Sequence, residues 1–383
     1  MQGLAGCGSR RPCSDCGSGG RHSPRQALRS PGVSSLSSLS LLAVFAASGV
    51  AIWVAGTYLS RTTDALDARL GIGAAVGGLV LLAIATDLPE LAITISAAVA
   101  DNLGLAVGNL LGGIAIQTLV LAALDATTGP RTTLTHLAGS LVLVVEGAIV
   151  AAVTVAALME VQLPGSASVA GVGFGTLGIV ALWLAGLWVV DRARSSIPWR
   201  VEAPGARPGR SMRQRHQGAT PHSFGGRATT AVAGVFAAAA AVTLVAGVLI
   251  EESGAELAGR LGLGGAVFGA TILAATTALP ELSTGIAAVR LGDHELAISD
   301  IFGGNAFLPV LLVVADAIAG RPALEHADPG ALWLAGLGVV LTAVYVTGLI
   351  VRPSRTFLRM GPDSLVAVAL YALGIAGLVA ISH

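Results

Sequence analysis

The sequence of 383 residues is 54% hydrophobic and 11% charged, with 22 basic residues against 22 acidic ones. Those proportions and a mean hydropathy of +0.79 exclude an ordinary soluble domain, in which about a quarter of the residues are charged, and leave an integral membrane protein.

Residues 1–35 form an Arg-rich amino-terminal tail that holds all three cysteines, Cys7, Cys13 and Cys16. With His22 these cysteines sketch only a weak zinc pattern, so an unstructured tail is the simpler reading and the core is expected to use no disulfide. Ten apolar stretches follow, over 36–59, 70–99, 103–124, 134–158, 167–190, 228–250, 261–289, 296–318, 330–351 and 364–381. Each can cross about 30 Å of hydrocarbon as a helix rising about 1.5 Å per residue. None alternates as a barrel strand does. The fold class is therefore all-α, a polytopic membrane protein of about ten transmembrane helices. Its first transmembrane half covers 36–190, a linker 191–227, and its second half 228–383.

Every basic residue is an arginine, and eight of them (Arg192, Arg194, Arg200, Arg207, Arg210, Arg213, Arg215, Arg227) fall in the linker. The positive-inside tendency makes that linker cytoplasmic in a cell membrane and puts the amino terminus outside. Arg61, Arg131, Arg290, Arg352, Arg355 and Arg359, in loops of the same parity, agree; five arginines of the tail do not. The tail is accordingly expected to be a processed targeting segment or a misassigned start. The basic linker reads as a retention signal or a contact with anionic lipid, so the bilayer is an expected partner and nucleic acid is not.

The sequence repeats itself. Residues 69–126 align without gaps on 260–317, with about 24 identities over 58 positions, including LPEL in both copies. The copies lie five crossings apart, an odd number, so they enter the membrane from opposite faces. This is the inverted-repeat architecture of secondary transporters, here two five-helix repeats, with a binding site expected at the midplane between them. Arg69 and Asp125 recur as Arg260 and Asp316 at the ends of the unit, which suggests a duplicated interfacial ion pair.

Glu90 and Glu281 fall well inside the second and seventh spans, where an ionised side chain costs on the order of 3 kcal/mol and normally marks an ion pathway. A proline precedes each and removes the helical bond to Ala85 or Thr276, so those carbonyls join the hydroxyls of Thr86 and Thr277 and the carboxylates in an oxygen cage. Such a cage suits a hard cation such as Ca²⁺ or Na⁺, whereas zinc and copper want nitrogen or sulfur. The next spans carry Gly112-Gly113 and Gly303-Gly304, flanked by Asn109 and Gln117 in one copy and by Asp300 and Asn305 in the other. Glu146, outside the repeats, reads as a carboxyl hydrogen-bonded in the bundle, with a proton-linked or gating role as the alternative. The histidines fall in or near loops and are assigned nothing.

On these residues the sequence resembles the cation/Ca²⁺ antiporter superfamily, the sodium/calcium exchangers and their prokaryotic relatives, whose repeats carry GTSLPE-like and GN-x-x-GSN-like motifs. Here they read ATDLPE (85–90) and TTALPE (276–281), then GNLLGGIAIQ (108–117) and SDIFGGNAFL (299–308). The resemblance implies that Glu90 and Glu281 are the principal calcium ligands, with Thr86 and Thr277 serving sodium and calcium. Family serines are replaced by Asp87, Ala278, Gly113 and Gly304, and the family's amide or acid is Gln117 in the first copy but Leu308 in the second. The second half-site thus loses a ligand at Leu308, and Asp300, Asn305 and Asp87 are the candidates to compensate.

The function expected from this reading is secondary antiport of a divalent cation, Ca²⁺ against Na⁺, without a cofactor. Lost hydroxyls weaken the case for sodium, and Asp87, one helical turn before Glu90, admits H⁺ as the counter-ion. A non-transporting membrane scaffold is the reading from a different class. No nucleophile or metal-protease motif points to an enzyme.

Overall fold

The computed structural model describes residues 35–70, 83–130, 132–162, 168–196, 228–262 and 272–382. Their principal helices are α1 (Ser38–Leu70), α2 (Leu88–Val99), α3 (Leu103–Thr127), α4 (Leu141–Glu160) and α5 (Phe174–Ser196) in the first half. The second half has α6 (Thr229–Arg260), α7 (Leu279–Leu291), α8 (His294–Phe307), α9 (Pro329–Val351) and α10 (Pro362–Ser382). Through the 3₁₀ turn Leu308–Leu311, opened by Pro309, α8 continues into Leu312–Ala319. Counting that continuation, eight described helices are long and apolar enough to cross a membrane.

The second and seventh expected spans are described only from 83 and 272 onward. Their upstream parts, like nearly all of the tail and positions 197–227 of the linker, lie outside the described residues. The fifth span is shifted from its expected place: a two-residue hairpin, Ser168–Val169 with Val172–Gly173, precedes α5. That helix runs on through Asp191-Arg-Ala-Arg194, where no glycine or proline stops it.

In both repeats the span that carries the glutamate breaks in the same way. A helical stretch (83–86) and its counterpart Ala274–Thr277 end at Asp87 and Ala278, whose φ/ψ angles are −80°/9° and −78°/7°. The following leucine precedes a proline and is biased away from the helical region, so each helix restarts with Pro89 or Pro280 in its first turn. Glu90 and Glu281 therefore stand at half-helix N-termini inside the membrane, where the positive dipole end favours anionic groups.

Helices α1 and α6 pack along each other and cross the two breaks. A Cβ built on Gly56 would meet the Pro280 Cβ at 2.9 Å and its Cα at 3.1 Å; one built on Gly247 would meet Ala92 Cβ at 3.1 Å and the Pro89 carbonyl oxygen at 3.2 Å. The two glycines are separated by the repeat offset, so the inverted relationship extends into α1 and α6. Only glycine lets those backbones lie so close to the prolines. The other main body is a core cluster of α3, α4, α8 and α9 that includes Leu110, Ile114, Phe302, Leu341 and Tyr345.

The expected Arg69–Asp125 and Arg260–Asp316 pairs are corrected by the structure. Asp125 accepts from the backbone N–H of Leu134 (2.6 Å) and Gly361 (2.6 Å) and from the Ser364 hydroxyl (2.7 Å). Asp316 accepts from Ala323 N–H (2.6 Å), Gly173 N–H (3.1 Å) and the Thr176 hydroxyl (2.8 Å). Arg260 instead pairs with Glu256 at 3.0 Å. Both aspartates are fully buried, and a buried carboxylate needs several donors. Backbone N–H groups at loop and helix starts supply them without the cost of ordering an arginine.

Candidate cation site

The half-helix starts bring three carboxylates together. Oxygens of Asp87, Glu90 and Glu281 all lie within 4.8 Å of one another, and each side chain is at most 1% exposed. Residues of both repeats interleave: Asp87 lies beside Glu281, and Thr277 beside Glu90. Asp300 stands close enough to Asp87 and Glu281 for direct charge repulsion.

Several oxygens of this group accept no hydrogen bond. Asp87 Oδ2, Glu90 Oε2, both carboxylate oxygens of Glu281 and Gln117 Oε1 are buried and unpartnered. A buried carboxylate left in that condition costs several kcal/mol unless a positive charge answers it. The arrangement is that of an oxygen cage for a hard cation, which takes six to eight oxygens at about 2.3–2.6 Å when it is Ca²⁺.

The remaining expected ligands divide. Gln117 bridges the first-repeat acids as a donor, its Nε2 lying 3.2 Å from Asp87 Oδ1 and 3.4 Å from Glu90 Oε1. Asn305 turns to Thr118, donating at 2.9 Å. Both amide atoms of Asn109 are buried without a partner. The Thr86 and Thr277 hydroxyls donate to carbonyls three residues back, at 3.0 and 3.1 Å, which leaves their oxygen lone pairs for a cation. The side chains of Ala85 and Thr276 face α1: Ala85 packs with Ala55 and Leu59, and Thr276 against Gly49.

The glycines that replace family serines have different neighbours. A Cβ on Gly304 would meet both Asp87 carboxylate oxygens at 3.3 Å, so this glycine makes the room that the added carboxylate occupies. A Cβ on Gly113 would meet Leu308 Cδ1 at 3.1 Å, so the leucine that replaces a family ligand has its space from the opposite glycine. One half-site gains a charge where the other becomes apolar. Sequence reasoning missed Thr284, which donates to Asp300 Oδ2 at 2.5 Å, and Thr118. Neither could be found from the repeat, because their counterparts are Ile93 and Pro309.

Glu146 is hydrogen-bonded in the bundle as expected, and its partner is charged: Arg194 Nη2 lies 2.7 Å from its Oε1 and 3.3 Å from the Ser299 hydroxyl.

Two inverted repeats, broken helices and a buried carboxylate cluster at the breaks are the architecture of inverted-repeat secondary transporters. The family model described as sodium/calcium exchanger protein matches residues 40–192 and 230–380, and the chain belongs to that family. Inner membrane protein YrbG of Escherichia coli (strain K12) is 30% identical over 256 residues, 66% of this chain and 70% of that protein. Among solved structures, the H⁺/Ca²⁺ exchanger CAX superposes with a TM-score of 0.63 at 15% identity, covering 89% of this chain and 84% of CAX. The sodium-calcium exchanger NCX_Mj gives 0.57 at 15% identity, covering 89% of this chain and 99% of its own. At that identity the two likenesses establish the fold, a multi-pass membrane architecture.

Proposed function

We propose that this protein is a secondary-active antiporter that exchanges Ca²⁺ for Na⁺ by alternating access, with Glu90 and Glu281 as the shared ligands. The observation that carries the reading is the buried Asp87–Glu90–Glu281 group with its unpartnered oxygens. The same oxygens serve whichever ion is present, so two cations compete for one site and exchange rather than flow. Asp87, Thr86, Thr277 and Asp300 complete the cage. The protein sits in the cell membrane with its linker cytoplasmic and its amino terminus outside.

H⁺ as counter-ion is a second reading favoured by two features: Leu308 fills a ligand position with a hydrocarbon, and Asp87 and Asp300 add carboxylates that can carry protons. Ca²⁺ uptake into proteoliposomes decides between them, with either a Na⁺ or a pH gradient imposed. Uptake driven by the pH gradient alone rejects sodium coupling. Glu90→Gln and Glu281→Gln should stay folded and lose exchange by at least the roughly 100-fold that even an outer-shell partner of a bound metal can be worth. Gradient-driven Ca²⁺ movement retained in both variants rejects the assignment.

A further inference from the structure

The loop between α9 and α10 reads Arg-Pro-Ser-Arg-Thr-Phe-Leu-Arg-Met-Gly over 352–361, with three arginines and no acid. Phe357 and Met360 exchange both backbone hydrogen bonds, at 2.8 and 2.9 Å, so the loop ends in a two-residue turn at Leu358 and Arg359. Those two residues have φ of 52° and 67°, and Arg352, which closes α9, has φ of 53°. Asn-Gly meets the demand of such a turn at little cost, and Gly that of a helix end; leucine and arginine meet it with Cβ crowded against the backbone. Among the described residues five non-glycines have positive φ, and three of them are here, so strain is concentrated in this loop. Strain of this kind persists only where the surroundings over-determine it. Here Thr133 Oγ1 donates to the Pro353 carbonyl at 2.7 Å, Thr356 Oγ1 to the Pro130 carbonyl at 2.6 Å and Arg352 Nη2 to the His136 carbonyl at 2.5 Å, while Asp125 holds the Gly361 N–H. The turn is a braced projection.

Leu358 is 83% exposed and Phe357 60%, and Arg355 and Arg359 beside them are exposed as well. Leu358 precedes Pro362, the first residue of the last span, by four positions, so it lies no more than about 14 Å from where that span begins. The strained turn fixes a hydrocarbon and a cation at the tip, where Asn-Gly would put neither. An apolar pair among arginines, with no acid in the loop, matches the boundary between acyl chains and anionic headgroups. We propose that this hairpin docks on anionic phospholipid at the face where α3 and α9 end. Phe357 and Leu358 enter the headgroup–acyl boundary, and the guanidinium forks of Arg355 and Arg359 hold lipid phosphates. The inference does not depend on the exchange proposed above. Asp125 also accepts from Leu134 N–H in the bracing segment at 2.6 Å, so docking steadies the joint between that segment and α10.

All native cysteines lie in the first 16 residues, so with these replaced by serine, Ser354→Cys gives a single exposed thiol in the loop and leaves the tip intact. The full chain, carrying a small fluorophore there, is reconstituted in vesicles of phosphatidylcholine alone or with phosphatidylglycerol, each containing nitroxide-labelled lipid. Two arginines at an anionic surface favour docking by about thirty-fold. Lipid quenching should therefore be at least about two-fold stronger with phosphatidylglycerol, and salt at about 0.5 M should remove the difference. Arg355→Gln with Arg359→Gln should abolish the phosphatidylglycerol effect, and Phe357→Ser with Leu358→Ser should reduce quenching in both kinds of vesicle. Equal quenching in the two, or a difference that survives loss of both arginines, overturns the proposal. So does a label reached by aqueous iodide and by no lipid nitroxide, or one shielded only when copies of the protein are crowded together. A second measurement needs no label. Phosphatidylglycerol added to wild-type protein in detergent should raise its melting temperature more than phosphatidylcholine does, and the double arginine variant should lose that difference. A difference kept in full by the variant puts the lipid elsewhere and overturns the docking site.

Discussion

Gly56→Ala places a methyl 2.9 Å from the Pro280 Cβ and 3.1 Å from its Cα. Carbon contacts settle at about 3.5–4.0 Å, so α1 and the start of α7 must separate by roughly 0.4–1 Å. Neither neighbour yields easily, since one is backbone and the other a closed ring. Overpacking of this kind costs about 1–3 kcal/mol, against which alanine returns up to about 1 kcal/mol of helix propensity, for a net loss of about 0–2 kcal/mol. The larger effect falls on the next residue, Glu281, because displacing a ligand by a fraction of an ångström distorts the cage. Ca²⁺ exchange in proteoliposomes should fall by about ten-fold, within the range known for sub-ångström to 1 Å misplacements. Gly247→Ala meets Ala92 Cβ at 3.1 Å and the Pro89 carbonyl oxygen at 3.2 Å, each less tight than the 2.9 Å contact at Gly56, and should do less. Thermal unfolding in detergent, read beside the uptake rate, separates packing from ligand displacement. Wild-type rates in Gly56→Ala, or a larger defect in Gly247→Ala, would refute the argument.

Other outcomes follow from the same geometry. Gly304→Ala should weaken Ca²⁺ binding by crowding Asp87, and in an Asp87→Ala background the same change should be nearly silent; additive effects in the double-mutant cycle reject the contact. Asp125→Ala leaves two backbone N–H groups and a hydroxyl without their acceptor and should destabilise by about 3–5 kcal/mol, with Asp316→Ala close to it; a melting temperature unchanged in either would count against the assigned role. Ca²⁺ at 100 times its Kd should raise wild-type stability by about 2.7 kcal/mol, and Glu281→Gln should abolish most of that gain without itself lowering the melting temperature, because one of three crowded charges is gone.

Much of this was legible in the sequence because duplication leaves a signal stronger than composition. LPEL in register twice located the half-helix starts, and the odd number of crossings between copies fixed their inversion. The carboxylates could be named because a charge inside hydrocarbon needs a reason. What stayed hidden is contact across the repeats, Asp87 beside Glu281 and Thr277 beside Glu90, and contact between two helices of one repeat, Thr284 on Asp300. Such pairs join residues whose positions share no sequence periodicity. The Arg–Asp pairs were misread for a related reason. Sequence displays side-chain charges but not the N–H groups at helix starts, and those are what Asp125 and Asp316 satisfy. Glu146 and Arg194, 48 residues apart, have no pattern linking them, and only the packing of α4 on α5 brings them together.

The two buried aspartates also bear on how such a chain could arise. Each accepts from the glycine N–H just before a repeat's fifth helix and from the hydroxyl three residues on: Gly361 and Ser364 for Asp125, Gly173 and Thr176 for Asp316. Asp125 belongs to the first repeat and holds α10 of the second; Asp316 belongs to the second and holds α5 of the first. A solitary half would have an aspartate with no helix start to grip and a helix start with nothing gripping it. Two identical halves inserted in opposite directions would satisfy both with a single set of residues. The present chain is thus interlocked as an antiparallel homodimer would be, and separately made halves should acquire stability only on meeting each other.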